Sequence, residues 1–345
     1  MSVKKKASAV GIRWAVELAD GIQDLAWSPD GRWLAAAAVS GPISLIASAT
    51  GDVSQEWPGH DGGTLKLAWS RDNRWLASGG QDGCARIWHP NDDEERQRLA
   101  AGSDWVGGVS FSPYADLLIT AAGKELRAWN LDGQLLRATK PHASTITDLA
   151  WHPHQPLLAS SAYGQAHVWD WRAPDAPEER VLPHSSPLLN ARWSPNGRYL
   201  ACGCQDNSLR GWTWPEAQDF QMSGYASKLV TLAWDRASRW LATVDREIVT
   251  LWDFAKGPPM GQVPLDFEGP LAAVRDLAFH PEQPWLAAGD RSGGLLVWSL
   301  HGREHRLIWH GALRGGFQRL AWHPQERLLA VGGEDGTVAA FELAR

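Results

Sequence analysis

The chain has 345 residues and a net charge of −6, and its pI is near 6.1. This charge does not favour binding to nucleic acid or to an anionic membrane surface. Three cysteines, an odd number, indicate reduced thiols in a cytoplasmic protein rather than a disulfide framework. Lysine is scarce beside arginine, with 8 against 25 residues, which favours a GC-rich, bacterial genome.

The N-terminus predicts a short tail followed by a strand. Residues 1–10 contain three consecutive lysines and small residues, and we expect them to be disordered. The following apolar run is too short, and too soon interrupted by Arg13 and Glu17, for a signal peptide or a membrane span. Residues 13–18 then alternate between apolar and polar side chains, as a β-strand does.

From residue 22 onward one pattern recurs, and residues 64–88 show it most clearly. Leu65, Leu67 and Trp69 alternate with other residues and are followed by a polar turn and by a second apolar run over residues 75–79. A turn of the Asp-Gly type at Asp82 and Gly83 leads into a third run. Short alternating segments joined by such turns predict an antiparallel meander.

The aromatic residue that ends the first strand of this pattern, called the anchor below, occurs eight times. The anchors are Trp27, Trp69, Phe111, Trp151, Trp193, Trp234, Phe279 and Trp322, at steps of 40 to 45 residues. A period of this size predicts a repeat architecture. Sixteen of the 22 tryptophans occupy three repeated positions, so we expect them to form the core between sheets rather than to contact a ligand.

These residues resemble the WD40 repeat family over nearly the whole chain. The matching features are Gly59-His60 before a first strand, Ser28-Pro29-Asp30-Gly31 after an anchor, Asp82 in a second turn, and Trp-Asp pairs at the end of third strands, namely Trp169-Asp170 and Trp252-Asp253. The resemblance implies four-stranded antiparallel blades. It also implies a structural hydrogen-bonded tetrad of His60, Ser78, Asp82 and Trp88, which only the second copy carries in full.

The expected fold is therefore all-β: a WD40-type β-propeller of eight four-stranded antiparallel blades. The last copy contains only three strands, and the strand at residues 13–18 can supply the fourth, as WD40 propellers characteristically do. We expect residues 11–345 to form this single propeller after a tail of residues 1–10.

The sequence offers few candidate residues for catalysis. Three residues before each anchor, where first strands face the central channel, the sequence has Asp24, Lys66, Gly108, Asp148, Asn190, Thr231, Asp276 and Arg319. Mixed signs predict charge pairs between neighbouring blades rather than paired catalytic carboxylates. His152, His280 and His323 lie in turns spread around the ring, too far apart to bind one metal ion. We expect no enzyme activity, no cofactor and no metal.

The pattern favours recognition of a protein partner. In WD40 propellers partners usually bind the narrower face, built from the segments that lead into first strands and from the turns between second and third strands; we call it the top face. Its candidate residues are Trp105, Tyr225, Lys228, Arg246, Arg291, Arg314, Lys124, Tyr163, Gln81 and Gln205. Aromatic residues and arginines are typical of interface hot spots, and the cations favour an acidic peptide or protein segment.

The sequence thus predicts a cytoplasmic, monomeric, non-catalytic scaffold that binds a protein or peptide and neither nucleic acid nor membrane. Two alternatives remain: an enzyme or small-ligand binder that uses the channel, and a dedicated accessory subunit of an enzyme or GTPase. Trp14, Trp57 and Trp309 fall on predicted outermost strands, which leaves a second contact surface along the rim open as a further alternative.

Overall fold

The computed structural model describes residues 11–173, 178–267, 272–302 and 304–344, and they form eight antiparallel sheets. The expected tail at residues 1–10 lies outside the described residues. Within the described ranges, no helix has the length and apolar composition needed to span a bilayer.

The first four blades follow one another along the chain, each running from the innermost strand outward. Blade one consists of β2 (Ile22–Trp27), β3 (Trp33–Ala38), β4 (Ile43–Ala47) and β5 (Val53–Trp57). Blade two consists of β6 (Thr64–Trp69), β7 (Leu76–Gly80), β8 (Cys84–Trp88) and β9 (Gln97–Ala100). Blade three consists of β10 (Val106–Phe111), β11 (Leu117–Ala122), β12 (Glu125–Asn130) and β13 (Leu135–Ala138).

Blade four contains β14 (Asp148–Trp151), β15 (Leu157–Asp170) and β16 (Glu178–Pro187). Its middle two strands form the single stretch β15, which folds back near Gly164, a residue with a φ of +82°. The two halves of β15 face each other, because the Trp169 indole donates a hydrogen bond to Ser160 Oγ at 2.9 Å. This blade therefore has the same four-stranded plan as the others.

The remaining strands complete the ring. Blade five has β17 (Arg192–Trp193), β18 (Tyr199–Gly203), β19 (Leu209–Thr213) and β20 (Asp219–Met222). Blade six has β21 (Leu232–Trp234), β22 (Trp240–Asp245), β23 (Ile248–Asp253) and β24 (Leu265–Phe267). Blade seven has β25 (Val274–Phe279), β26 (Trp285–Asp290), β27 (Gly294–His301) and β28 (Glu304–Ala312). Blade eight has β29 (Phe317–Trp322), β30 (Leu328–Gly333), β31 (Thr337–Glu342) and β1 (Gly11–Glu17).

The ring closes as predicted, with the N-terminal strand as the outermost strand of blade eight. β1 pairs antiparallel with β31 from Gly11 opposite Glu342 to Glu17 opposite Thr337. The innermost strands contact one another around a complete circle, and β29 meets β2. Closure through a strand from the other end of the chain ties blade eight to both termini of the repeat array.

The core lies between neighbouring blades, and the three repeated aromatic positions contribute to it unequally. The tryptophans that end third strands, such as Trp88 and Trp298, are at least 94% buried in every blade that has one. Most anchors are only half-buried, which differs from the expectation of a uniform core position. Their indoles lie at the edge of each interface, where Trp69 Nε1 donates to the Ala26 carbonyl of the preceding blade at 3.0 Å.

The outermost-strand tryptophans do not form a contact surface along the rim. Trp14, Trp57 and Trp309 are between 91% and fully buried. Trp57 stacks on Trp88 with ring centroids 5.3 Å apart. These side chains cover the ends of the core, because the outermost strands turn them inward.

The turns that follow the anchors define the opposite, bottom face, and three of them carry histidines that link blades. His323 Nε2 donates to the Gly31 carbonyl of blade one at 2.9 Å, while its Nδ1 accepts the Gln325 N–H at 3.1 Å. His152 makes the same type of bond to Gly197, and His280 makes it to Glu326. Both ring nitrogens are thus engaged in structural bonds, which explains these histidines without a metal.

Candidate functional site

In blade two, the hydrogen-bonded tetrad stabilises the part of the top face that this blade contributes. His60 Nε2 lies 2.7 Å from Ser78 Oγ, and Ser78 Oγ accepts the Trp88 indole N–H at 2.8 Å. His60 Nδ1 lies 2.9 Å from Asp82 Oδ1. Burial lowers the pKa of His60, although its bond to Asp82 opposes that shift. The tetrad therefore holds the segment that leads into the first strand against the turn after the second strand.

Blade six builds the same unit from different residues, and Tyr225 is one of them. This tyrosine stands nine residues before its anchor, where blade two has His60. Its hydroxyl accepts the Trp252 indole N–H at 2.6 Å and lies 3.1 Å from Thr243 Oγ1. Burial raises the pKa of this hydroxyl to about 12. Tyr225 therefore has a structural role in the repeat, and its role in partner binding stays a prediction.

A basic cleft lies on the top face where blades six, seven and eight meet. It has a volume of about 530 Å³, and Lys228, Arg246, Arg275, Arg291 and Arg319 all line it. Arg275 lies 3.5 Å from Glu334, and Arg319 lies 3.5 Å from Asp24. Among the described residues, no acidic side chain lies within ion-pair distance of the other three cations. The cleft therefore presents three cations that no acidic side chain among these residues neutralises.

The remaining candidate residues are distributed over the other blades. Trp105 is 60% exposed on blade three, and Tyr163 is 52% exposed on blade four. Lys124, Gln205 and Arg314 are exposed, and Gln81 is half-buried. The structure thus gathers Lys228, Arg246 and Arg291 in one cleft and leaves the other predicted residues outside it.

The basic cleft also contains Arg275, a cation outside the predicted set of binding residues. Arg275 directly precedes Asp276, the channel position of blade seven. It becomes part of the site because its neighbours across the blade interface are Arg319 and Arg246. In the sequence, copies six, seven and eight each contain cations of this group. Only the ring geometry shows that their side chains line one cleft.

The charged residues of the central channel are used in contacts between blades. Asp24 Oδ2 lies 3.3 Å from Lys66 Nζ of the next blade and accepts the Leu67 N–H at 3.0 Å. Asp148 pairs with Arg192 in the same way, and Asp276 Oδ2 accepts the Leu320 N–H at 2.9 Å. Each of the three aspartates therefore joins its own blade to the next one, as the mixed charges predicted.

A larger cavity of about 790 Å³ opens on the bottom face beside the closing strand. Its lining includes Arg13, which pairs with Glu326 at 2.7 Å and with Glu342 at 3.2 Å. The lining carries Glu282, Glu326 and Glu342 against Arg13 and Arg327, so this cavity lacks the excess of cations found in the basic cleft.

Comparison with known proteins gives the same architecture. The model of the family described as WD domain, G-beta repeat, matches residues 18–41, 51–89, 133–170, 178–213, 261–299 and 306–341, which together make up more than half of the chain. The crystal structure of the computationally designed Ika8 protein is similar with a TM-score of 0.78 and 21% identity, covering 95% of this chain and 98% of that one.

Curated relatives are more distant and have diverse names. The chain is 26% identical to the transcriptional corepressor LEUNIG_HOMOLOG of Arabidopsis thaliana over 65% of this chain and 28% of that protein. It is 24% identical to the human serine-threonine kinase receptor-associated protein over 67% and 77%, respectively. It is 22% identical to the human angio-associated migratory cell protein over 76% and 64%. The chain thus spans only about a quarter of the corepressor but most of the receptor-associated protein.

Proposed function

The chain belongs to the WD40 repeat family, and from this membership we propose that it is a non-catalytic interaction scaffold that binds an acidic segment of a partner protein in the basic cleft. The observation that carries the proposal is the convergence of Lys228, Arg246 and Arg291 on one cleft without acidic partners among the described residues. Cations arranged in this way attract and orient a negatively charged segment.

Three further observations support a scaffold. The channel aspartates serve contacts between blades, so the ring lacks a pair of free carboxylates for hydrolysis within its described residues. Two of the relatives carry the words corepressor and receptor-associated in their names, which describe association with other molecules. The three cysteines are free thiols, which fits work in the cytoplasm.

The proposal is tested with a labelled acidic peptide. Fluorescence anisotropy with fluorescein-labelled hexaglutamate should show binding that weakens as salt is added, while hexalysine should not bind. Replacing Arg246 and Arg291 together by glutamate should weaken hexaglutamate binding roughly tenfold or more, because both side chains face the cleft.

A matched control comes from the bottom face, where Arg198 and Arg236 are exposed. The double variant Arg198→Glu, Arg236→Glu has the same change in net charge and should bind hexaglutamate like the wild type. Equal weakening by both double variants would show that net charge alone drives binding, and the cleft would lose its assigned role. The same pair of variants should separate a specific partner from background in capture experiments from the native lysate.

A further inference from the structure

Blade five places a thiol where blade two has a glycine. The two blades align residue for residue with a shift of 124: Gly79 pairs with Ala85, and Gly203 pairs with Leu209. Cys204 therefore occupies the position of Gly80. A Cβ atom at Gly80 would overlap the His60 ring, so a histidine in the blade-two arrangement requires glycine at this position.

The corresponding histidine, His184, lies in β16, the outermost strand of blade four, and is placed differently. Its Nε2 lies 4.0 Å from Asp206 Oδ2, whereas in blade two His60 Nδ1 lies 2.9 Å from Asp82 Oδ1. The His184 side chain is only 6% exposed, and its Nε2 atom has no hydrogen-bond partner. A buried imidazole nitrogen without a partner is costly, so its occurrence here calls for a ligand.

The unpartnered nitrogen belongs to a cluster of three different metal-ligand types. Ligand atoms of His184, Cys204 and Asp206 all lie within 4.8 Å of one another. Zinc bonds of about 2.0 to 2.3 Å in a tetrahedral arrangement place ligand atoms roughly 3.3 to 3.6 Å apart. Small side-chain rotations are enough to bring the three atoms to that spacing.

The carboxylate of Asp206 is also better placed for an ion than its counterpart in blade two. Arg86 lies 2.8 Å from Asp82, but the corresponding Arg210 turns away to Asp219 and Gln221. Asp206 Oδ1 accepts a hydrogen bond from Ser208 Oγ at 2.6 Å, which orients the carboxylate and leaves Oδ2 facing His184. Bonds of this kind to a ligating carboxylate are typical of metal sites.

We propose that His184, Cys204 and Asp206 bind one Zn²⁺ ion on the top face, where the outermost strand of blade four meets blade five. One imidazole nitrogen, one thiolate sulfur and one carboxylate oxygen form a donor set that suits Zn²⁺ and not Mg²⁺ or Ca²⁺. The Asp206 side chain is 43% exposed, so the fourth position opens towards solvent and can hold water or a donor from a partner.

Binding requires the Cys204 thiol to release its proton to solvent as the sulfur–zinc bond forms. Burial raises the pKa of this thiol to about 11, so the metal itself must displace the proton. The site lies between blades four and five, apart from the basic cleft of blades six to eight, and it does not depend on the proposed scaffold function.

The test is a titration of the metal-free full-length protein with Co²⁺, followed by competition with Zn²⁺. Wild type should bind one Co²⁺ per chain with the intense sulfur-to-cobalt charge-transfer absorption of a thiolate ligand, and Zn²⁺ should remove this absorption. Cys204→Gly restores the residue type of blade two, so it should fold; it should lose the charge-transfer band and bind Zn²⁺ about 100-fold more weakly or worse. His184→Gln should weaken binding to a similar extent.

Cys202→Ala is the matched control, since Cys202 is a fully buried thiol two residues before Cys204 and alanine adds no hydrogen-bonding group beside His184. It should keep the band and the affinity of the wild type. The proposal is overturned if wild type binds no Co²⁺ in the absence of chelator, if Cys204→Gly retains the band, or if the band disappears only in Cys202→Ala.

Discussion

At the scale of single residues, the blades satisfy one recurring buried group in different ways. The indole N–H of the tryptophan that ends a third strand needs an acceptor because it is buried. Ser78 supplies it in blade two, Thr120 in blade three, Ser160 in blade four and the Tyr225 hydroxyl in blade six. These four blades thus make the same hydrogen bond with three different residue types.

Tyr225→Phe tests this structural role directly. The substitution leaves the Trp252 indole N–H without its acceptor and removes a partner of Thr243, so the free energy of unfolding should fall by about 1 to 3 kcal/mol. Urea unfolding followed by tryptophan fluorescence measures the change. Ser103→Ala, at an exposed position, should shift stability by less than about 0.5 kcal/mol. Unchanged stability with loss of hexaglutamate binding would instead make Tyr225 a partner-binding residue.

His142 predicts a loss of stability in acid. Burial, with a smaller effect from the neighbouring His167, lowers its pKa from 6.5 to about 4, although the hydrogen bond from Nδ1 to the Lys124 carbonyl opposes the shift. The unfolded chain takes up a proton near pH 6.5 and the folded chain does not. The stabilisation is therefore complete above pH 6.5 and is lost as the pH falls towards 4, by about 3 kcal/mol in total.

Urea unfolding at pH 7, 5.5 and 4 measures this contribution. His142→Gln should lose less stability than the wild type over that range, although it starts from a lower value. His310→Gln, at an exposed position of blade seven, should keep the pH dependence of the wild type. Parallel curves for wild type and His142→Gln would contradict the assignment.

At the scale of elements, the turns on the bottom face connect blades as well as strands. Gly31 has a φ of +73°, and its carbonyl accepts the hydrogen bond of His323 from blade eight. A Cβ atom at Gly31 would overlap the His323 ring. This turn therefore needs glycine for its backbone conformation and also for the contact across the closure of the ring.

Gly31→Ala separates these two requirements when it is compared with Gly261→Ala. Gly261 has a φ of +72°, but a Cβ atom there would meet no atom within 4 Å. Both variants carry the left-handed backbone cost of about 1 to 2 kcal/mol, and Gly31→Ala should lose more because it also displaces His323. Thermal and urea unfolding give the comparison. Equal losses would mean that the His323 contact contributes nothing to stability.

The elements that the sequence predicted well are those set by local pattern. Alternation and the turns after each anchor placed the first three strands of each blade, because both signals lie within a few consecutive residues. The orientation of Trp57 could not be read in this way, since its burial depends on stacking with Trp88 of the next copy. Outermost strands carry weak alternation, so the sequence does not tell which side chains turn inward.

At the scale of the whole molecule, a fixed period determines the number of blades, whereas the sites depend on contacts between blades. The basic cleft combines residues from three blades, so no single copy reveals it. Tyr225 and Cys204 are single exceptions to the repeat, and each changes what its neighbours do. A tyrosine replaces a histidine in the tetrad, and a thiol displaces His184 from its usual partner.

Ring closure gives the prediction that concerns the whole molecule. β1 buries Trp14, covers the edge of β31 along its length, and places Arg13 against Glu326 and Glu342. Deleting residues 1–18 should expose that edge and the apolar residues beneath it, so the protein should unfold at a lower temperature and aggregate.

Deleting residues 1–10 keeps β1 intact and serves as the control, with the melting temperature and monomer fraction expected to match the wild type. Light scattering after gel filtration, together with thermal unfolding, measures both properties. A soluble monomer lacking residues 1–18 with the stability of the full chain would mean that the ring does not depend on this strand for closure.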